Sequence, residues 1–343
     1  MEKLMITKFN LKIKIMLLAT APLFAIFFFL ANELNKTYFL LDDNDKLQNQ
    51  ILISEKFSAL IHEMQKERGM SIGFLSSNKE RFANELKAQR LKSDKKYNQL
   101  LLFIEKMKNV NVNYIYLIHQ GIENLKLITK IRSNVDNGLK SENLINEILN
   151  YYSNTIQDLL DNSLNANKLI NNANIARKSL SYTYFLYAKE KTGIERAFVN
   201  DIFITNKALS NNAYTKFLTL VSQQEIYINL FKSLGSLTNI DIYNEISQNQ
   251  IFEEVQNMRS TIYAKHNLGE YNVNVITWFD TITKKIDLLK DIENELVNEL
   301  KEEINQIILK LKSYFIILII IEVLCVSFLI ILCIFLAKSI KKR

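Results

Sequence analysis

The sequence predicts an all-α protein, and three observations carry that prediction. The 343 residues hold one proline and seven glycines, too few turn formers for a sandwich, a barrel or a doubly wound sheet. Leu, Ile, Lys, Glu and Asn fill long stretches without a break, a composition that suits helices. Apolar residues, 48% of the chain, recur at spacings of three and four, as helix faces require.

The elements follow in order. Residues 1–14 carry Lys3, Lys8, Lys12 and Lys14 against Glu2. Ile15 to Leu34 is apolar apart from Glu33, close to the ~20 residues needed to cross a bilayer, and it is longer than a signal-peptide core and lacks a small-x-small cleavage site. Helical periodicity continues from Asn35 to about Leu75, where Ser76, Ser77 and Asn78 break it before a helix over Lys79 to Val110. Asn-rich joints at Asn111–Asn113, Asn134–Asn143, Asn162–Asn174, Ser210–Asn212, Ser236–Asn239 and Asn267–Asn272 read as short helix–helix connections. Val273 to Leu311 runs unbroken into a second apolar run, Tyr314 to Ala337, whose only charge is Glu322. Cys325 and Cys333 both lie in that run, which leaves the central region without a disulfide or thiolate metal site.

The net charge of +7 belongs to the two ends. Lys338, Lys341, Lys342 and Arg343 match the N-terminal lysines, so the central region is formally neutral and nucleic acid is not expected as a partner. Lysines before the first run and after the second place both termini in the cytoplasm. The expected organisation is therefore a cytoplasmic N-terminus over 1–14 and a transmembrane helix over 15–34. An extracytoplasmic helical domain of two stacked four-helix-type bundles follows over 35–313, then a second transmembrane helix over 314–337 and a cytoplasmic linker from 338. That is a membrane-embedded, two-pass protein of the inner membrane, with its large domain in the periplasm or extracytoplasmic space. His62, His119 and His266 make no metal spacing, and no phosphate loop, dinucleotide fingerprint or nucleophile elbow is present. Neither enzymatic activity nor a cofactor or metal is expected.

Three segments carry chemistry. In Met64 to Ser77, MQKERGMSIGFLSS, the residues Phe57, Ile61, Met64, Arg68, Ile72 and Leu75 form one helical stripe that Arg68 interrupts. A guanidinium there needs a carboxylate, carbonyls or a bound anion unless it reaches solvent. Gly69 and Gly73 remove bulk on a neighbouring face. In Tyr187 to Asn200, YAKEKTGIERAFVN, Gly193 precedes Arg196 by three residues, and Arg196, Val199 and Phe203 share a stripe that competes with Ile194, Phe198 and Ile202. Between Phe252 and Glu293, Arg259 lies on a stripe with Val255 and Ile262, while Trp278, Ile282, Ile286 and Leu289 read as core with Thr283 and Asp287 beside them. The chain has 8 Arg against 35 Lys, so arginines beside three seams suggest that a planar fork of donors is wanted, as for a planar oxyanion.

QKERGMSIGFL at 65–75, AKEKTGIERAFVN at 188–200 and WFDTITKKIDLLKDIE at 278–293 resemble the nitrate- and nitrite-sensing (NIT) domain family, in family order and over roughly residues 50 to 300. The resemblance implies a helical sensor that binds nitrate or nitrite between helices through Arg68, Arg196 and Arg259. It also implies the setting of such domains in bacterial receptors: a homodimeric transmembrane signal-transduction sensor of the methyl-accepting chemotaxis or histidine kinase type. Such a sensor would act on cytoplasmic signalling proteins through an output domain absent from this chain. The alternative is a helical bundle that binds another protein and has no small-molecule site.

Overall fold

A computed structural model describes residues 11–107 and 122–341. Lys3, Lys8, the joint at Asn111–Asn113, His119, Lys342 and Arg343 lie outside that range. The described residues form helices α1 (Leu11–Ser76), α2 (Ala83–Met107), α3 (Ile128–Asn137), α4 (Glu142–Ala166), α5 (Ala173–Thr205), α6 (Asn211–Leu234), α7 (Leu237–Ser247), α8 (Gln250–Lys265) and α9 (Val275–Lys341), with 3-10 turns at Glu123–Leu127 and Asn167–Leu169. No strand occurs among them; one isolated bridge pairs Lys207 with Gly269. The all-α expectation holds.

Local chemistry sets the helix ends. Side chains of Ser141, Asn172, Ser210, Ser236 and Asn249 each accept from a backbone N–H in the first turn of α4, α5, α6, α7 and α8. Asn206 closes α5 in the left-handed region at φ 52°. Its carbonyl accepts from Glu270 N at 3.0 Å and its Oδ1 from Asn272 N at 3.3 Å, which ties the end of α5 to the approach to α9.

The chain divides into two compact units: Gln48–Glu302, and the remainder before and after it. In the first, α1 and α5 are buried nearly all round. Met64, Gln65, Glu67, Arg68 and Ser71 of α1 are buried, as are Tyr187, Ala188, Lys189, Glu190, Thr192, Glu195 and Arg196 of α5. Trp278, Ile282, Ile286 and Leu289 are buried as the spacing predicts, and Trp278 packs in a cluster with Val199, Phe203, Phe217, Val255 and Ile262.

Outside Gln48–Glu302, α9 contains a stretch long and apolar enough to cross a membrane, with mean hydropathy 3.3 and 6% of it buried. It is the one such helix among the described residues. The run expected to form a first span differs. Among the described residues it does not stand out as a second such helix. A two-pass arrangement is therefore not supported.

Candidate functional site

Two Glu–Arg pairs, Glu67–Arg68 on α1 and Glu195–Arg196 on α5, define the site. Consecutive helical residues point about 100° apart, so neither glutamate faces its own arginine. Glu67, fully buried, accepts from Arg132 Nε at 2.7 Å and Nη2 at 3.0 Å and from Tyr152 Oη at 2.7 Å. Arg132 also reaches Asp94 at 2.7 Å. Glu195, equally buried, accepts from Arg259 Nε and Nη2, both at 2.6 Å, and from Gln224 at 2.9 Å. Burial, the largest single influence, raises Glu195, but the Arg259 charge and its hydrogen bonds, with Lys285 and Gln224, together hold the carboxyl below its ordinary range.

The arginines themselves turn toward each other's helices. Arg68 makes a bidentate pair with Glu190 of α5, Nη1 to Oε1 at 2.5 Å and Nη2 to Oε2 at 3.3 Å, and Nη1 also donates to Ser153 at 3.0 Å. Gln65 completes that carboxylate with a bond of 2.7 Å. The glycines explain how the helices come so close. A Cβ on Gly193 of α5 would stand 3.0 Å from Arg68 Nη2, and one on Gly69 of α1 would stand 2.8 Å from Arg196 Nη2. Each motif's glycine is the seat of the other motif's arginine.

Arg196 is the exception to this pairing. It is 4% exposed, donates to the Gln65 carbonyl and to Thr283 Oγ1, both at 3.1 Å, and lies over the Phe279 ring at 5.0 Å. Its Nε has no partner, and no carboxylate pairs with it among the described residues. Burial, and next the neighbouring Arg68 charge, lower it to about 10, still protonated at neutral pH. His62, buried with an unpartnered Nδ1, is held far below its ordinary value first by burial and then by Lys189, Lys66, Lys290 and Arg196. The interior here is electropositive.

A cavity of about 760 Å³ opens beside Arg196, lined also by Gly69, Gly73, Asn200, Phe82 and Phe279. Phe82 sits at φ 63°, a conformation costly for a bulky residue. Its ring packs where a Cβ on Gly73 would be, 2.7 Å away, and meets Phe279 at 5.8 Å.

Of the three arginines expected at one anion site, the structure brings Arg68 and Arg196 together. It places Arg259 at a different cavity, clamped on Glu195. Sequence reasoning missed Glu190, Gln65 and Phe279; for Glu190 the signal was present, since it lies three residues before Gly193 and so on the same helical face.

The family model for nitrate and nitrite sensing matches residues 59–301. The nitrate regulatory protein of Klebsiella oxytoca is 21% identical over 257 residues, which is 74% of this chain and 63% of that protein; the chain thus spans less than two thirds of that relative. The structure of the NasR transcription antiterminator superposes with a TM-score of 0.70 at 19% identity, covering 89% of this chain and 81% of that one, a likeness in fold. These findings correct three expectations. The relatives are by name regulators of nitrate response and of transcription, so the chain is not read as a transmembrane receptor of the chemotaxis or kinase type. Nor do the expectations of a membrane-embedded protein and of no nucleic acid stand beside a transcription antiterminator. The neutral central region had argued against nucleic acid, but net charge summed over a region does not decide its partners. With its match over most of its length, the chain belongs to the nitrate and nitrite sensing family.

Proposed function

We propose that the chain is the sensing part of a nitrate-responsive regulator, and that nitrate or nitrite binds at Arg196 with Arg68 beside it. One observation carries this reading: Arg196 is a buried guanidinium with an unpartnered Nε and no carboxylate partner among the described residues, at the wall of an open cavity. A small planar monoanion meets a guanidinium fork in its own plane and relieves the repulsion between the two arginines. Arg259 acts at one remove, by holding Glu195 and with it the α5 turn that carries Arg196. The names of the relatives support a regulatory output, and binding rather than catalysis is the task of the site.

We also read Gln48–Glu302 as two bundles sharing α1 and α9. This reading is supported by the two buried carboxylates, Glu67 gathering α3 and α4 and Glu195 gathering α6 and α8.

Titration calorimetry of the full chain with nitrate, nitrite and chloride tests the anion reading. Arg196→Ala is expected to weaken nitrate roughly tenfold to a hundredfold, the worth of a charge-assisted pair of about 1.5–3 kcal/mol. Arg68→Lys is expected to fail as well, because a point charge cannot reproduce the fork on Glu190. Absence of nitrate binding below millimolar concentration, or parental affinity in a folded Arg196→Ala, overturns the reading.

A further inference from the structure

A second cavity, of about 390 Å³, lies among α5, α6, α7, α8 and α9, and the proposed nitrate site leaves it unused. Its lining shares no residue with the cavity at Arg196. Lys285 of α9 lines it and is 8% exposed. Among the described residues the Lys285 ammonium has no hydrogen-bond or ion-pair partner; the Glu195 carboxylate acts on it only through space, and the Phe252 ring centre lies 5.3 Å away. Apart from Arg196 at the first cavity, the other buried cations described in this unit are matched. Lys189 is bonded to Glu293, Arg68 to Glu190 and Arg259 to Glu195. An unmatched ammonium beside open space is the mark of a group awaiting a negative ligand.

The walls define the rest of that ligand. Phe252, Ile228, Leu289 and Ala188 supply apolar surface, while Asn229 and Gln256 offer amide groups. The volume is in the range of pockets for organic ligands, far larger than a three-oxygen ion fills. Arg259, in the same wall, is already spent on Glu195 and on Gln224 at 2.8 Å, so one cationic charge is left over. Glu225, also in the lining, disfavours a second negative charge on the ligand. One anionic head and an apolar body remain.

We propose that this cavity is a binding site for a small organic monocarboxylate, with Lys285 as the group that receives the carboxylate. The site is separate from the one proposed for nitrate, and a ligand there would bear on the same helices α5 and α9 that carry Arg196 and Thr283. Burial first, and the Arg259 charge second, bring Lys285 down to about 7 against the opposing pull of Glu195, so a carboxylate arriving at neutral pH draws a proton onto it and pairs with the charged form.

The test is calorimetry on the full chain with hexanoate, its neutral counterpart hexanamide, and the dicarboxylate adipate. Hexanoate is expected to bind saturably, hexanamide and adipate at least tenfold more weakly. Lys285→Met, which removes a buried unmatched charge and keeps the stem's volume, is expected to fold with at least the parent's thermal stability and to lose hexanoate tenfold or more. Arg196→Ala is expected to keep hexanoate binding, so that failure of the nitrate reading and failure of this one are told apart. No saturable hexanoate binding below 10 mM, binding unchanged in Lys285→Met, or binding lost in a folded Arg196→Ala overturns the proposal.

Discussion

At the scale of single residues, one methyl group separates packing from binding. Gly69→Ala puts a Cβ 2.8 Å from Arg196 Nη2, and the mobile end of a long side chain is what yields. Replacing a mid-helix glycine by alanine favours the helix by roughly 1 kcal/mol, so the variant is expected to melt within a few degrees of the parent while nitrate affinity falls about tenfold. Thermal unfolding and calorimetry on the same preparation check both halves; unchanged affinity would show that Arg196 need not sit over α1. A different residue reports through pH. Lys285 titrates near 7 when folded and at 10.5 when unfolded. Between those values the unfolded chain holds more protons, so this group costs stability progressively as pH falls from 10.5 to 7 and returns it as pH rises again. Lys285→Met is therefore expected to exceed the parent at pH 7 by on the order of 4 kcal/mol, since the fall from 10.5 to about 7 is worth about 1.4 kcal/mol for each pKa unit. That margin should shrink by pH 9.5, as urea unfolding at the two pH values would measure.

Among the elements, α5 carries the heaviest electrostatic traffic, with Lys189, Glu190, Glu195 and Arg196 all buried on one helix. Glu190→Gln removes the carboxylate on which Arg68 rests and leaves two guanidiniums unmatched. The expected cost is about 3–5 kcal/mol of stability, and nitrate should then raise the melting temperature more in this variant than in the parent, because an anion now serves both arginines. Equal nitrate shifts in the two proteins would show that the ion does not sit between them. Helix positions were legible in the sequence where capping side chains and Asn-rich joints mark them, as at Ser76 and at Ser210, the cap of α6. The joint between α7 and α8 at Gln248–Asn249 was not, since Gln and Ser around it look like exposed helix. The single stripe read through Arg68 also understated α1. Gln65, Glu67 and Ser71, off that stripe, are buried as well, because a central helix is packed on several sides and periodicity sees one face only. Arg68 and Arg196 were legible as residues that need a partner; which of them lacks one depends on Glu190, Arg132 and Arg259, contacts between segments 60 to 130 residues apart. No local pattern encodes those distances.

On the scale of the whole molecule, the buried charges and both cavities fall within Gln48–Glu302, while the long apolar stretch of α9 falls outside it. Residues 48–302 produced alone are expected to keep a helical circular dichroism spectrum and a nitrate affinity within about threefold of the full chain. A loss of helix or of binding on trimming would place part of the sensing structure in the remainder.

The crossed seating of Arg68 on Gly193 and of Arg196 on Gly69 acts as a vernier between α1 and α5. A helix advances 1.5 Å per residue, so sliding either helix by even one residue carries both arginines off their glycines at once, onto side chains with no room for them. Two notches cut in opposite members fix an alignment more sharply than one, and resist slip in both directions. Small movements along the helix axes are thus the ones this interface resists, whereas the Arg196 head, held by a carbonyl, a hydroxyl and a ring rather than a carboxylate, stays free to change partners.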